Sequence, residues 1–324
     1  MKKLIKLALA AVILFSFAAC DLDDDPIDPN GVVITFALAE NSTFGNSTIN
    51  AVAYGDGKFV AVGDGGKIAY STDGENWTAA ENTTFTAAIN CVAWGGGKFL
   101  AAGANGRMAF SPDGITWTAV NNSTFGSNEI IGVSWGSNKW VAVGRSWMAY
   151  STEDGSIWAG KTSNDPFSFV QGAPVLRDVV FGNNRFVLVG AAGGQGHGAS
   201  LAHSSNGVSW TARDMEDIIA VPLLSICYGN GKFVSVSMDA ILYSTNGSDW
   251  NDTEDGSLGK QLRGVAAGGN KFIAVGSNSA ILQSSDGIDW SELENSLSSN
   301  FNGITYGNGT WVIVGANGAI AYSE

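Results

Sequence analysis

The stretch from Tyr54 to Trp77 recurs, whole or in part, seven times along the chain, and this repetition constrains the fold more than any other feature. Its turn, Gly55 to Phe59, returns at Gly95 to Phe99, then in weaker form at Gly136 to Trp140, Gly182 to Phe186, Gly229 to Phe233, Gly268 to Phe272 and Gly307 to Trp311. Its closing box, Ser-x-Asp-Gly-x-x-Trp, appears six times, ending at Trp77, Trp117, Trp158, Trp210, Trp250 and Trp290. A period of about 40 residues, made of short apolar runs between Gly, Asn and Asp, marks a propeller or a related repeat array. The 43 glycines lack a collagen-like spacing and read as turns.

Each unit reads as four strands. In the first, strand A is Ile49 to Tyr54, strand B Lys58 to Val62, strand C Lys67 to Ser71, and strand D runs from Trp77 to about Ala80. Continuous apolar runs such as Phe59 to Val62 are expected to be buried on both faces, which stacked blades provide. The seventh unit is cut short at Ser323 and Glu324, and its missing strand D lies at the other end, where Phe36 to Phe44 matches Trp77 to Phe85. The expected fold is therefore all-β: a seven-bladed propeller of four-stranded blades, closed by an N-terminal strand that completes the last blade.

The box is read as a turn device. Asp73, Asp113 and Asp286 bond backbone groups two residues on, Gly accepts positive φ, and the Trp ring packs between strands. Asn206 and Asn246 replace Asp in two copies, and an amide keeps such a turn but cannot act as a base, so the boxes are structural. The box resembles the Asp-box, or BNR, repeat of sialidase-like propellers; most copies are one residue shorter, and Ser151 to Trp158 has the full spacing with Glu153 in the Asp place. The resemblance covers residues 32 to 324 and implies an architecture. Related propellers include photosystem II assembly factors, which hold other proteins, so the resemblance favours a protein partner.

Lys2, Lys3 and Lys6 precede an apolar run from Leu7 to Phe17 that is too short to span a bilayer, the pattern of an export signal. Phe17-Ala18-Ala19-Cys20 resembles the bacterial lipobox, which implies removal of residues 1–19 and acylation of Cys20. Residues 20–31 are then an acidic tether with two prolines, and membrane attachment is through the lipid alone. Asp21, Asp23 and Asp25 imitate a calcium loop, but Pro26 stands where that loop needs Gly. Acidic residues after the cysteine also look like a surface-export signal of some bacterial lipoproteins. The cell envelope, at the outer membrane or cell surface, is the expected location.

The formal net charge is -13, and loss of the three leader lysines would leave -16. Such a surface repels nucleic acid. Cys91 and Cys227 fall in strands of well-separated repeats and read as buried thiols rather than a disulfide.

Five residues before the strand-A glycine stand Asn50, Asn90, Ile131, Arg177, Leu224, Arg263 and Asn302, near the expected upper entrance of the central channel. Amides and guanidiniums there suit a carboxylate or a sugar, or are channel lining satisfied by water. Arg107, Arg145, Arg213 and Trp147 are expected on the same face. So are two insertions, Lys161 to Val175 and Ala191 to Ser200, the second carrying His197. The Asn-Ser-Thr-Phe series at Asn41, Asn82 and Asn122 reads as turn chemistry over Phe44, Phe85 and Phe125.

Sialidase chemistry needs a tyrosine nucleophile, and all 7 tyrosines occupy repeat positions. Asp178, Asp239, Glu129, Glu216 and Glu254 are candidate carboxylates, but no spacing singles out a pair. His203 and His197 form no ligand cluster, so no metal and no cofactor are expected. The reading is a monomeric, noncatalytic binding or scaffolding module for an envelope or extracellular protein. The alternative is glycan recognition or cleavage on the upper face.

Overall fold

The computed structural model describes residues 34–323, except 82, 146, 153–154, 163–166, 168–173, 193–198, 214, 216–217 and 255. The expected leader, Cys20 and the tether lie outside these residues, as do Asn82, Glu153, His197, Glu216 and most of both insertions. Residues Thr35–Glu324 form one compact unit, distinct from Met1–Ile34.

The unit is a ring of seven four-stranded antiparallel sheets. The inner strands A are Ile49–Gly55, Ile89–Gly95, Ile130–Gly136, Val175–Gly182, Ser225–Gly229, Leu262–Gly268 and Phe301–Gly307. Each touches the next, and the seventh touches the first. The last sheet is completed by Phe36–Leu38, paired antiparallel with the C-terminal strand as Phe36 with Ser323, Ala37 with Tyr322 and Leu38 with Ala321. The propeller and its N-terminal closure are therefore as the repeats predict. Among the described residues, no helix is long and apolar enough to cross a membrane.

Burial follows the sequence pattern. Phe59, Val60, Ala61 and Val62 of the first strand B are all 0% exposed, because neighbouring blades cover both faces of the sheet. Strands A and B are joined by two-residue turns with both central residues at positive φ, as in Asp56 (47°) with Gly57 (72°) and Asn308 (48°) with Gly309 (85°). This turn matches the right-handed strand twist, which explains the run of Gly, Asn and Asp there. In the first blade strand D is shorter than expected, only Thr78–Ala79, whereas in the third it runs Trp158–Thr162. Trp77 does not pair; its indole N–H donates to the Gly74 carbonyl at 2.8 Å and its ring is buried.

The boxes are closed hydrogen-bonded turns. Ser71 Oγ accepts from the Gly74 N–H at 2.8 Å, and Asp73 Oδ1 accepts from the N–H groups of Glu75 at 3.0 Å and Asn76 at 2.8 Å. Asn206 and Asn246 accept the corresponding bonds through Oδ1, and Asp113 and Asp286 do so in theirs. Of the box tryptophans, Trp117, Trp158, Trp250 and Trp290 are buried like Trp77, and Trp210 is half-buried. Partial burial opposes ionisation of Asp73, but hydrogen bonds from Asn76, Ser71 and Glu75 outweigh it and hold the carboxyl at about 2. Since an amide serves in two blades, Asp73→Asn should melt within a degree or two of the parent by calorimetry. Asp73→Ala, which leaves two N–H groups unpaired, should cost about 1 kcal/mol; equal losses would contradict this turn role.

The blades are keyed together by a second repeat feature. The aromatic residue before each strand-A glycine lies on the glycine of the preceding blade: Trp94 on Gly55, Trp135 on Gly95, Phe181 on Gly136, Tyr228 on Gly182, Tyr306 on Gly268 and, closing the ring, Tyr54 on Gly307. The exception is Gly229, which faces Ala267. Each ring also meets the first aromatic of its own strand B, as Trp94 does Phe99 with centroids 4.6 Å apart. Phe44, Phe85 and Phe125 are buried under the connections between blades. Above two of them, Asn41 and Asn122 accept from the N–H of Thr43 and Thr124 at 2.9 Å, as the turn reading expects. Cys91 and Cys227 are free, buried thiols, and burial pushes both well up from the usual thiol range.

Candidate functional site

The inner strands enclose a cavity of about 540 Å³ at the ring centre. It is lined by all seven residues of the repeat position singled out above: Asn50, Asn90, Ile131, Arg177, Leu224, Arg263 and Asn302. A local irregularity puts them there. In six blades the pairing of strands A and B skips one residue, between Ile49 and Ala51, Ile89 and Cys91, Ile130 and Gly132, Leu176 and Asp178, Leu262 and Gly264, and Phe301 and Gly303. The skipped residue is the one in question. Bulges of this kind re-aim a side chain, here into the channel.

The ring divides into two halves. On one side the amides bind the protein itself: Asn302 Nδ2 donates to the Ile49 carbonyl at 3.1 Å, Asn50 Nδ2 to Ile89 at 2.9 Å, and Asn90 Nδ2 to Ile130 at 2.9 Å. Each amide thus ties its strand to the next blade. Asp64 Oδ1 and Glu129 Oε1 also accept from Asn50 and Asn90, at 3.1 and 3.0 Å. The other side, from blade three to blade six, reads Ile131, Arg177, Leu224, Arg263, alternately apolar and cationic.

Arg263 donates through one terminal nitrogen to Asn302 Oδ1 at 3.2 Å, but its Nε is buried without a partner. Arg177 Nε is likewise buried and unpartnered. Burial, and then the nearby Arg145 charge, lower the Arg177 pKa, and Glu129 opposes them. A guanidinium stays charged regardless. Arg145 itself is exposed, and its backbone bridges to Val175 at the entry to blade four.

Asp178, next to Arg177, also lines the cavity, but its oxygens are engaged elsewhere. Its Oδ2 accepts from Ser225 Oγ at 3.0 Å and the Ile226 N–H at 2.9 Å, and its Oδ1 from the Val179 N–H at 2.8 Å. It ties blade four to blade five as the amides tie the others. Burial nonetheless outweighs these bonds and pushes the carboxyl up to about 6.

The remaining expected residues do not line the cavity. Arg107 is exposed on the B-to-C turn of blade two. Trp147 packs partly buried against the core between blades two and three, its indole nitrogen beside Gly160. Arg213, expected on the upper face, lies 3.8 Å from Asp249 in the box of the next blade. His203 is half-buried, with burial and then Arg185 lowering its pKa against Asp249. Sequence reading missed Met238, which lines the cavity from the B-to-C turn of blade five and is 46% exposed. The signal was there in the shortness of that turn, Ser237 to Ala240, which the Ala240 N–H closes on Ser237 Oγ at 2.9 Å.

The DUF6242 beta propeller domain matches residues 37–171 and 153–312. No curated protein matches the chain. Among solved structures, YCF48 from Cyanidioschyzon merolae is similar at 15% identity and a TM-score of 0.67, covering 89% of this chain and 98% of its own. YCF48 bound to D1 peptide is similar at 16% and 0.66, covering 89% and 94%. A catalytically inactive virginiamycin B lyase from Staphylococcus aureus, with quinupristin, is similar at 13% and 0.72, covering 90% and 99%. At these identities the likeness is one of fold. The match across most of its length shows that the chain belongs to the DUF6242 beta propeller domain family.

Proposed function

We propose that this propeller is a noncatalytic binding module for a protein partner, held at the cell envelope by an acylated Cys20, with its binding face around the channel mouth. The observation that carries the reading is the pair of buried, unpartnered guanidinium nitrogens of Arg177 and Arg263 in the central cavity. Unpaired buried donors are costly, and of the eight such atoms among the described residues only these two belong to side chains that line the cavity, which favours an acceptor from outside. The noncatalytic part rests on the nearby carboxylates: Asp64, Glu129 and Asp178 are each engaged in ties between or within blades. A similar propeller, YCF48, has been solved with a D1 peptide, which supports a peptide-binding role here by analogy. The amides that would suit a sugar donate to backbone carbonyls instead, which weighs against the glycan alternative. The turn geometry of the boxes supports placing the chain with Asp-box propellers.

A photo-crosslinking residue placed at Met238, in cells that make the protein, should trap a defined protein, and the same residue at exposed Ile157, within the box of blade three, should trap none. Capture only at Ile157 would move the site to the box face, and capture at neither would overturn the partner reading. Anchoring is tested separately. Cys20→Ala should abolish labelling by a fatty-acid analogue and release the protein from the membrane fraction; unchanged labelling would exclude acylation at Cys20.

A further inference from the structure

Resting on that reading, we propose that the half of the channel mouth running from blade three to blade six receives a carboxylate carried on an apolar body. Three observations converge on it. The first is charge placement: in a chain of net charge -13, two guanidiniums line the central cavity, each with an orphan nitrogen. Among the described residues no acid is bonded to either orphan nitrogen, although Glu129 acts on Arg177 through its charge. Asp178 is turned to Ser225, Ile226 and Val179, and Glu129 takes the Asn90 amide.

The second is geometry of recognition. A guanidinium fork pairs with the two oxygens of a carboxylate in a way that a point anion or a hydroxyl does not reproduce. The surrounding negative charge of the chain disfavours a polyanion, so a single carboxylate fits better than a phosphate cluster. The third is the apolar setting: Leu224 stands between the two arginines, Ile131 beside Arg177, and the exposed Met238 adjoins them. These side chains offer dry contact to an aliphatic group next to the carboxylate, and they strengthen the ion pair by excluding water. The amide half offers neither, because the Nδ2 groups of Asn50, Asn90 and Asn302 are already bonded to carbonyls of the next blade.

The test is a calorimetric titration of the full chain with N-acetyl-leucine, which joins one carboxylate to one aliphatic side chain. A ligand this small should bind with a Kd of about a millimolar. N-acetyl-leucinamide, acetate and inorganic phosphate should each bind roughly tenfold more weakly or worse, because each lacks the carboxylate or the apolar body. Arg177→Gln with Arg263→Gln should lower affinity by about tenfold to a hundredfold, whereas Arg107→Gln, outside the cavity, should leave it unchanged. Should the double Gln variant unfold, Arg177→Lys and Arg263→Lys keep the charge without the fork and should still weaken binding measurably.

Equal binding of the acid and its amide, or binding indifferent to the arginine substitutions, would overturn the proposal. So would phosphate binding as well as N-acetyl-leucine. N-acetyl-glutamyl-leucinamide moves the carboxylate to a side chain; binding of either compound supports the proposal, and their ratio assigns the carboxylate to a chain end or to an acidic residue. If the titrations fail while Met238 still crosslinks a protein, the carboxylate chemistry falls and the partner reading stands.

Discussion

Gly95→Ala is expected to lower the melting temperature by about ten degrees or to prevent folding, while Gly97→Ala costs only a few degrees. An added Cβ on Gly95 would stand 2.1 Å from the Cβ of Trp135, a part of that side chain fixed to the backbone, so the blades themselves would have to shift. Overpacking of this kind costs about 3 kcal/mol or more, and each kcal/mol is worth roughly 2–4 °C in a domain of this size class. Gly97 has φ at 74° and open space where a Cβ would go, so alanine there pays only the conformational penalty of about 1–2 kcal/mol. Scanning calorimetry of the two variants separates the seat from the turn. Equal losses would show that the aromatic-on-glycine contact does not key the blades.

Stability should also fall as pH rises from about 4 through 6, and Asp178→Asn should remove that slope. Burial raises the folded-state carboxyl to about 6 from the ordinary 3.8. The folded protein therefore holds this proton more tightly than the unfolded chain does. The associated stability is fully present below the unfolded value and is lost as pH rises through the folded one, an effect on the order of 2 kcal/mol for a half-buried group. Asparagine keeps an acceptor for Ile226 and Ser225, gives up the bond from the Val179 N–H and does not ionise, so its stability should be lower but flat over this range. The box acids act in the opposite sense at lower pH: Asp73, held at about 2, contributes stability that is lost as pH falls below the ordinary carboxylate range. Urea titrations of both proteins between about pH 4 and pH 7 decide the matter. Parallel curves would mean that the ionisation of Asp178 is not the source of the slope.

The blade number, strand order and closure were legible in the sequence because each depends on local pattern repeated many times. The positive-φ turns at Asp56 and Gly57 need particular residue types, and the box needs an acceptor two residues before an N–H; such requirements leave marks at fixed spacing. The position of Asn50 and its six equivalents was legible for the same reason. What those side chains do there was not. Whether an amide points into the channel or sideways to the carbonyl of Ile89 depends on the bulge and on the distance to the next blade, neither of which spacing records. The tie made by Asp178 was hidden for a related reason. It replaces, in one blade only, a bond made elsewhere by the preceding residue, so no repeat announced it. Met238 was missed because the mark it left is a turn shorter than the repeat's, a difference that comparison of matching positions passes over.

The pairing of Phe36 with Ser323 also has a consequence in time. During synthesis the strand that completes the last blade leaves the ribosome well before its partner, Ile320–Ser323. At about 5–20 residues per second the first strand waits on the order of tens of seconds for the last. Diffusion adds little, since the entropy of closing so long a loop grows only with the logarithm of its length. Timed proteolysis during translation should find residues 36–38 cleavable until the final strand appears. The moment at which the circle closes is thus set by the delivery of its last strand and not by the search of one end for the other.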